Sequence, residues 1–272
     1  MEKIDGAKIA KEIIQKLKNQ KEPQKILAAI LVGDNPTSLS FLKQKKKVAE
    51  ELGIDFRIYK FPESVKNDDL RKETGKISLL KRVGGVIVQL PLAKHLNRHY
   101  ILNVIPREKD IDVLGERALG AFYTGRNPVL PPAVGAVEEI LRIMNYELRI
   151  MKVVVVGAGF LIGKPIATWL QNKVAELIIF NEYTQDLRNK LKNADLIVSG
   201  VGKANLFSAE DLSENTAVID FGYDMSDDKI SGDFNPIIHN SKFIIHYTST
   251  PGGTGPILVA KIFENFYKLN HP

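Results

Sequence analysis

Apolar and polar positions alternate between two periods along the first third of the chain. The opening stretch MEKIDGAKIAKEIIQKL reads as an amphipathic helix with charges throughout, centred on about 6–21. KILAAILVG (25–33) is a continuous apolar run of strand length. Asn35-Pro36 then opens a second helix, with Asn35 as N-cap and Pro36 in the first helical position. That helix runs to about Leu52 and stops at Gly53. IDFRIYKF (54–61) alternates as a strand does, a helix follows over about 67–82, and a third apolar strand occupies 85–90. Such a β-α-β-α-β rhythm predicts a mostly parallel sheet covered by helices.

A loop-rich stretch follows, from IPREKDIDVLGE (105–116) to the residues before a helix at 133–144. A second alternating system begins there, with strands expected at 152–157, 177–180, 196–201, 217–222 and 243–247. TSTPGGTGP (248–256) interrupts the pattern, and a last helix is expected over 256–269. The fold class expected is α/β, in two domains with a cleft between them. One would comprise residues 1–128 plus 252–272, the other, of Rossmann type, residues 129–251. Ligands in such folds bind at the carboxyl ends of the strands.

Composition narrows the chemistry. The 272 residues include no cysteine, which excludes disulfides and thiolate catalysis and suits a reducing cytoplasm. No signal-peptide pattern and no apolar run of about 18 residues is read, so neither export nor a membrane partner is expected. The net charge of +6 is spread along the chain apart from KQKKK (Lys43–Lys47), itself inside a helical pattern. It suits an anionic ligand without arguing for nucleic acid, and none is expected as a partner.

VVVVGAGFLIGKP is the strongest local signal. An apolar strand runs directly into Gly157-Ala158-Gly159, with Gly163 four residues on. Glycines there permit a tight turn and close approach of backbone to a pyrophosphate, and the following helix supplies free N–H groups. At the end of the next strand stand Asn181-Glu182-Tyr183-Thr184. An acidic side chain in that place accepts from a ribose 2′-hydroxyl and repels a 2′-phosphate. Glu182 therefore leans toward NAD rather than NADP, provided that it does not simply face solvent.

Three other positions stand out. Ser38, Phe41 and Lys45 lie at i, i+3 and i+7 on one helix face, beside an expected apolar stripe of Leu39, Leu42, Ala49 and Leu52. From the residues alone, Lys45 is more naturally one more surface lysine in a basic run. Gln89 places a primary amide near the carboxyl end of an apolar strand, where either the fold or a ligand must satisfy it. Asp110 and Asp112 lie in a loop expected to border the cleft, although loop aspartates are usually turn formers. The histidines 95, 99, 239, 246 and 271 form no convincing metal set. His95 and His99 would share a helix, but without an acidic third ligand, and no metal is expected.

Taken in order, these pieces resemble the bifunctional methylenetetrahydrofolate dehydrogenase/methenyltetrahydrofolate cyclohydrolase family over nearly the whole chain. The matching stretches are VGDNPTSLSFLKQKKKVAEELGI, GVIVQLPL, KDIDVLGE, VVVVGAGFLIGKP, DFGYD followed by Gly232-Asp233, and TSTPGGTGPI. The resemblance implies oxidation of 5,10-methylenetetrahydrofolate with NAD or NADP, then hydrolysis of the methenyl product to 10-formyltetrahydrofolate. It places the enzyme in one-carbon metabolism and purine biosynthesis. It implies a catalytic role for Lys45, with Gln89 as its hydrogen-bond partner and Asp112 holding the pterin. Ser38, Phe41, Pro251, Gly252 and Gly253 would contact the folate. Gly157, Ala158, Gly159, Gly163, Glu182, Thr184, Gly200 and Gly222 would surround the cofactor. A cytoplasmic homodimer, paired through the cofactor domain, is implied as well.

The sequence also departs from that family's pattern. Phe41 replaces a tyrosine and removes its hydroxyl. Val113 replaces the glycine after the second aspartate, which is expected to alter that loop. Ala158 and Glu182 stand where NADP-using members commonly place an arginine and a serine. These departures leave two alternatives: a dehydrogenase with weakened hydrolysis, or a cofactor-binding paralogue that has lost catalysis. A shikimate-type dehydrogenase is a further rival, against which the Gln89 strand and the PGGTGP loop argue.

Overall fold

A computed structural model describes residues 2–226, 229–237 and 245–271. The chain opens with a short strand, β1 (Glu2–Ile4), and helix α1 (Gly6–Lys18). Then come β2 (Ile26–Val32), α2 (Pro36–Glu51), β3 (Asp55–Phe61), α3 (Asn67–Leu79) and β4 (Val83–Val88). Helix α4 (Arg98–Leu102) precedes the loop-rich stretch, α5 (Glu116–Tyr123) lies within it, and α6 (Pro132–Ile143) is the helix expected at 133–144. The second alternation comprises β5 (Lys152–Val156), α7 (Gly163–Leu170), β6 (Glu176–Phe180), α8 (Leu187–Leu191) and β7 (Leu196–Ser199). It continues through β8 (Phe207–Ser208), β9 (Ala217–Asp220), β10 (Asp224–Ser226), β11 (Lys229–Ser231), β12 (Phe234–Asn235) and β13 (His246–Thr248). Helix α9 (Thr254–Asn270) ends the described chain.

The chain divides into two compact units. One comprises residues 1–10 and 133–258, the other residues 11–132 and 259–272. The boundaries therefore fall inside α1 and α9. The expected boundaries lay at 128/129 and 251/252, and the first ten residues were placed with the other domain.

In the unit of 11–132 and 259–272, a parallel sheet runs β3-β2-β4. Every residue of β2 is buried, as an inner strand covered on both faces requires, and so is every residue of β4 at the sheet edge. Leu27, Ile30 and Ile87 are at most 1% exposed, each stabilising by about 1.5–3 kcal/mol through burial. A Cβ on Gly85 would stand 2.8 Å from the ring of Phe266 in α9, so glycine there lets helix and sheet approach closely.

The unit of 1–10 and 133–258 holds a six-stranded parallel sheet in the order β1-β13-β9-β7-β5-β6. The chain passes from β5 to β6 on one side, then returns across β5 to β7. The switch point lies between the carboxyl ends of β5 and β7. Phe207, Phe234 and Tyr247 pack in its core, with ring centroids 5.4 and 5.7 Å apart for successive pairs.

Three expectations change. Residues 2–4 are not part of an N-terminal helix; Glu2 aligns with His246 in a parallel pair, so a distant strand overrides the local pattern. Leu39 is 40% exposed and leaves the α2 stripe, whereas Leu42, Ala49 and Leu52 are buried. His95 precedes α4 and meets the Val65 carbonyl at 3.1 Å, so His95 and His99 do not share a helix. His239 and the first two residues of the strand expected at 243–247 lie outside the described residues. Among the described residues, no group of three His, Cys, Asp or Glu could hold a metal ion, and no helix is long and apolar enough to cross a membrane.

Candidate active site

In the three-stranded unit, two elements and a loop converge at one sheet end. Helix α2 leaves the carboxyl end of β2. The Asn35 side chain accepts from the Ser38 N–H at 3.0 Å, and Pro36 fills the first turn, which fixes where the helix starts. Ser38, Leu42, Lys45 and Ala49 form its buried stripe. Phe41 is half-buried beside it. The Ser38 hydroxyl is buried and has no hydrogen-bond partner among the described residues.

Gln89 sits one residue past β4, its N–H still bonded to the Ile30 carbonyl at 2.9 Å. Its side-chain N–H2 donates to the Leu90 carbonyl at 2.9 Å, which turns Oε1 the other way. Lys45 Nζ donates to that Oε1 at 3.0 Å. Lys45 and Gln89 are each 7% exposed, so Lys45 is not the surface lysine that its sequence neighbourhood suggested.

The third contributor is the loop after α4. Asp110 forms an isolated parallel bridge with Val86, which holds the loop against β4, and a turn follows at 111–112. Two residues on, Asp112 lies within electrostatic reach of Lys45. Burial lowers the Lys45 pKa, and Asp112 pulls it back up. Burial raises the Asp112 pKa, and Lys45 opposes the rise. The two aspartates differ in what they touch. Asp110 accepts from the Gly115 N–H at 2.7 Å and the Leu114 N–H at 3.0 Å, and so ties the loop. Burial pushes its pKa up to about 7, against the pull of those N–H donors. Val113, between the pair and the tie, has φ 56° and is fully buried with Ala118 and Val129. Valine here carries a left-handed conformation that glycine adopts freely.

The six-stranded unit has its own constellation at the switch point. Gly157 ends β5 with φ 97°, open to glycine and rarely adopted by other residues. A Cβ on Gly163 would lie 1.7 Å from the Gly157 carbonyl oxygen, so only glycine lets α7 start that close to the turn. A Cβ on Gly159 would meet nothing within 4 Å, and Ala158 is exposed, which leaves the face of the turn open. Gly200, at the carboxyl end of β7, packs on Ile162, and Gly222 follows β9. Open turn and switch point together fit a dinucleotide pyrophosphate, although the start of α7 offers fewer free donors than expected: the Lys164 N–H donates to the Gly159 carbonyl at 3.0 Å and Pro165 has none.

Glu182 is exposed just past β6. Its turn is fixed by Thr184 Oγ1, which accepts the Asn181 N–H at 3.1 Å, and by Asn181 Oδ1, which accepts the Tyr183 N–H at 3.0 Å. Arg188, the nearest cation in sequence, stands 3.7 Å from Asp211. Pro251, Gly252 and Gly253 belong to this unit and not to that of Lys45. Ser249 Oγ donates to the Pro251 carbonyl at 2.9 Å, and a Cβ on Gly6 would lie 1.8 Å from the Gly253 oxygen.

The sequence reading assigned no role to two buried carboxyls in this unit. Asp220, 1% exposed, accepts from Gly222 and Phe234 N–H groups, and burial raises its pKa to about 7. Asp233 is fully buried. An acidic residue closing the apolar strand AVID was the available signal for the first.

These features define a two-unit α/β protein that pairs a buried lysine–amide site with a dinucleotide-binding Rossmann sheet. Residues 4–112 match the tetrahydrofolate dehydrogenase/cyclohydrolase catalytic domain, and residues 131–271 match the NAD(P)-binding domain of the same proteins. The chain belongs to the tetrahydrofolate dehydrogenase/cyclohydrolase family. It is 34% identical to the bifunctional protein FolD of Nitratiruptor sp., over 98% of this chain and 97% of that one. Among solved structures it is similar to the bifunctional FolD enzyme of Campylobacter jejuni, with TM-score 0.92, 31% identity and coverage of 98% and 97%. The Trypanosoma brucei FolD, solved with NADP and an inhibitor, gives TM-score 0.91, 27% identity and coverage of 98% and 96%.

Proposed function

We propose that this chain oxidises 5,10-methylenetetrahydrofolate with a nicotinamide dinucleotide and hydrolyses the methenyl product to 10-formyltetrahydrofolate. The observation that carries the reading is the buried Lys45–Gln89 pair, 3.0 Å apart beside Asp112. The bound cofactor would accept the hydride, and the glycine turn at Gly157–Gly163 would hold its pyrophosphate. Oxidation leaves a cationic methenyl group. A charged lysine about 4 Å from it would cost about 4 kcal/mol at an effective dielectric of 20, so a lysine with a lowered pKa suits the site. In hydrolysis, water adds to the methenyl carbon and the Lys45 amine takes its proton. The proton returns to the ring nitrogen as the carbon–nitrogen bond breaks, and the freed amine takes the adduct's hydroxyl proton as the formyl carbonyl forms, releasing it to solvent. Gln89 orients the amine without adding charge, and Asp112 holds the pterin. Ser38 and Phe41, on the same helix face as Lys45, add folate contacts within this unit.

Cofactor preference goes to NAD, because Glu182 is exposed at the ribose position and Arg188 is paired with Asp211. The family likeness supports a homodimer formed through the six-stranded unit, and the absence of cysteine suits the cytoplasm. Phe41 favours a second reading in which hydrolysis is slow relative to oxidation.

One spectroscopic assay separates these readings, following methenyl formation and decay from methylenetetrahydrofolate with NAD and with NADP. We expect at least tenfold higher kcat/KM with NAD, and faster methenyl decay in Phe41→Tyr. A strong NADP preference would refute the Glu182 argument; unchanged decay in Phe41→Tyr would show the missing hydroxyl to be dispensable.

A further inference from the structure

Asp233 is a fully buried carboxylate with four donors aimed at it. Ser199 Oγ donates to Oδ2 at 2.6 Å and the Val201 N–H to the same oxygen at 2.7 Å. The Gly202 and Lys203 N–H groups donate to Oδ1, each at 2.8 Å. Three consecutive backbone N–H groups therefore close around one side chain that arrives from 30 or more positions further along the chain. A free turn of this kind would offer those donors to water or to an anion; here they are already taken. Asp220 lies within electrostatic reach: burial raises its pKa and the Asp233 charge adds to the rise.

The turn held in this way, 200–203, follows β7 at the switch point. A Cβ on Gly157 would lie 3.1 Å from Val201 Cγ2 and 3.2 Å from the Gly200 oxygen. A Cβ on Gly200 would lie 2.4 Å from Ile162. A Cβ on Gly222 would lie 2.3 Å from Asp233 Oδ1 itself. The segments after β7 and β9 thus close on a single carboxylate, and the turn after β5 packs in turn on the segment after β7, with glycines at the points of closest approach.

We infer that Asp233 is a positioning residue for the dinucleotide, fixing the 200–203 turn and through it the register of the Gly157–Gly163 turn. It touches no cofactor itself; its charge replaces the turn's own freedom to move. The inference rests on the function proposed above only in taking the switch point of this unit as the nucleotide site.

The test compares Asp233→Asn and Ser199→Ala with the wild-type protein. Calorimetry with NAD and NADP alone needs no turnover. Dissociation constants should rise at least tenfold in Asp233→Asn and about threefold in Ser199→Ala. Amide exchange at Val201, Gly202 and Lys203 should accelerate at least tenfold in Asp233→Asn. In steady state the KM for nucleotide should rise while kcat stays within threefold, and nucleotide-free methenyl hydrolysis should stay within twofold. Dissociation constants within twofold of wild type in the folded variants would overturn the inference. So would a joint fall of nucleotide affinity, hydrolysis and unfolding midpoint, the mark of a merely structural role. If Asp233→Asn does not fold, the dissociation constant of Ser199→Ala decides. A wild-type protein that binds nucleotide but turns over no folate would overturn the proposed function alone; one that binds neither nucleotide would overturn both.

Discussion

Lys45 stands in a run of four lysines, of which Lys43, Lys46 and Lys47 are exposed and Lys45 alone is buried. A general base lost from such a site costs 10²–10⁴-fold, so Lys45→Met should reduce methenyl hydrolysis by that factor while remaining folded. The pH profile carries the sign. Burial lowers the folded-state pKa, so the amine is free above that value and protonated below it. Hydrolysis should rise with pH and level off at a midpoint below the usual lysine value of 10.5, and the Met variant should lack the inflection. In the window between the lowered value and 10.5 the unfolded chain binds the proton more tightly. The stability contribution of Lys45 is therefore full above that window and lost as pH falls through it. Rate measurements from pH 6 to 10 on both proteins would check the assignment; an unchanged inflection in the variant would refute it. The burial was legible in part. Positions 38, 42, 45 and 49 alternate steps of four and three, the spacing of a buried helix stripe, but the charge run masked it and Leu39 was grouped there instead. Gln89 was conspicuous because an amide stands out in an apolar strand. Gly232-Asp233 stood out only as part of a matching stretch; the role of Asp233 was not legible, because its four donors come from residues 199–203 and no local pattern announces them.

Among the elements, β2 was legible almost to its ends, since an inner parallel strand is a continuous apolar run, whereas the edge strand β4 begins and ends two residues earlier than its apolar run suggests. β1 was missed because its only specification is a partner at 246–248. The loop carrying Asp110 and Asp112 joins both cases. Its sequence showed the acids, but not that Val113 takes a positive φ. A left-handed conformation costs a residue with a Cβ about 1–2 kcal/mol. Burying the valine side chain returns about 1.5–3 kcal/mol, and glycine would add about 0.5–1 kcal/mol of backbone entropy cost. The balance favours valine, so Val113→Gly should destabilise the protein by about 1–2 kcal/mol in urea unfolding. A stabilised glycine variant would mean that strain outweighs packing at this position.

At the scale of the molecule, neither unit is one continuous stretch of sequence, and this was the least legible feature of all. The three-stranded unit takes Phe263 and Phe266 from α9, both fully buried, and Asn265, which donates to the Ile111 and Leu130 carbonyls at 2.8 Å. Residues 11–132 expressed alone should therefore lack fixed tertiary packing by near-UV circular dichroism, and adding a peptide of residues 254–271 should restore it. A native-like spectrum from the fragment alone would show that α9 is dispensable to that core. The same interleaving has a consequence during synthesis. A ribosome releases the residues of β2, β3 and β4 long before α9, and those of β1 long before β13. Joining Glu2 to His246 closes a loop of about 240 residues, an entropic cost that grows only slowly with length but delays the pairing. Once β5 and β6 have emerged, the nascent chain carries two half-built sheets with apolar faces uncovered. The cell's chaperones, rather than the finished core, must guard them until the last helix emerges.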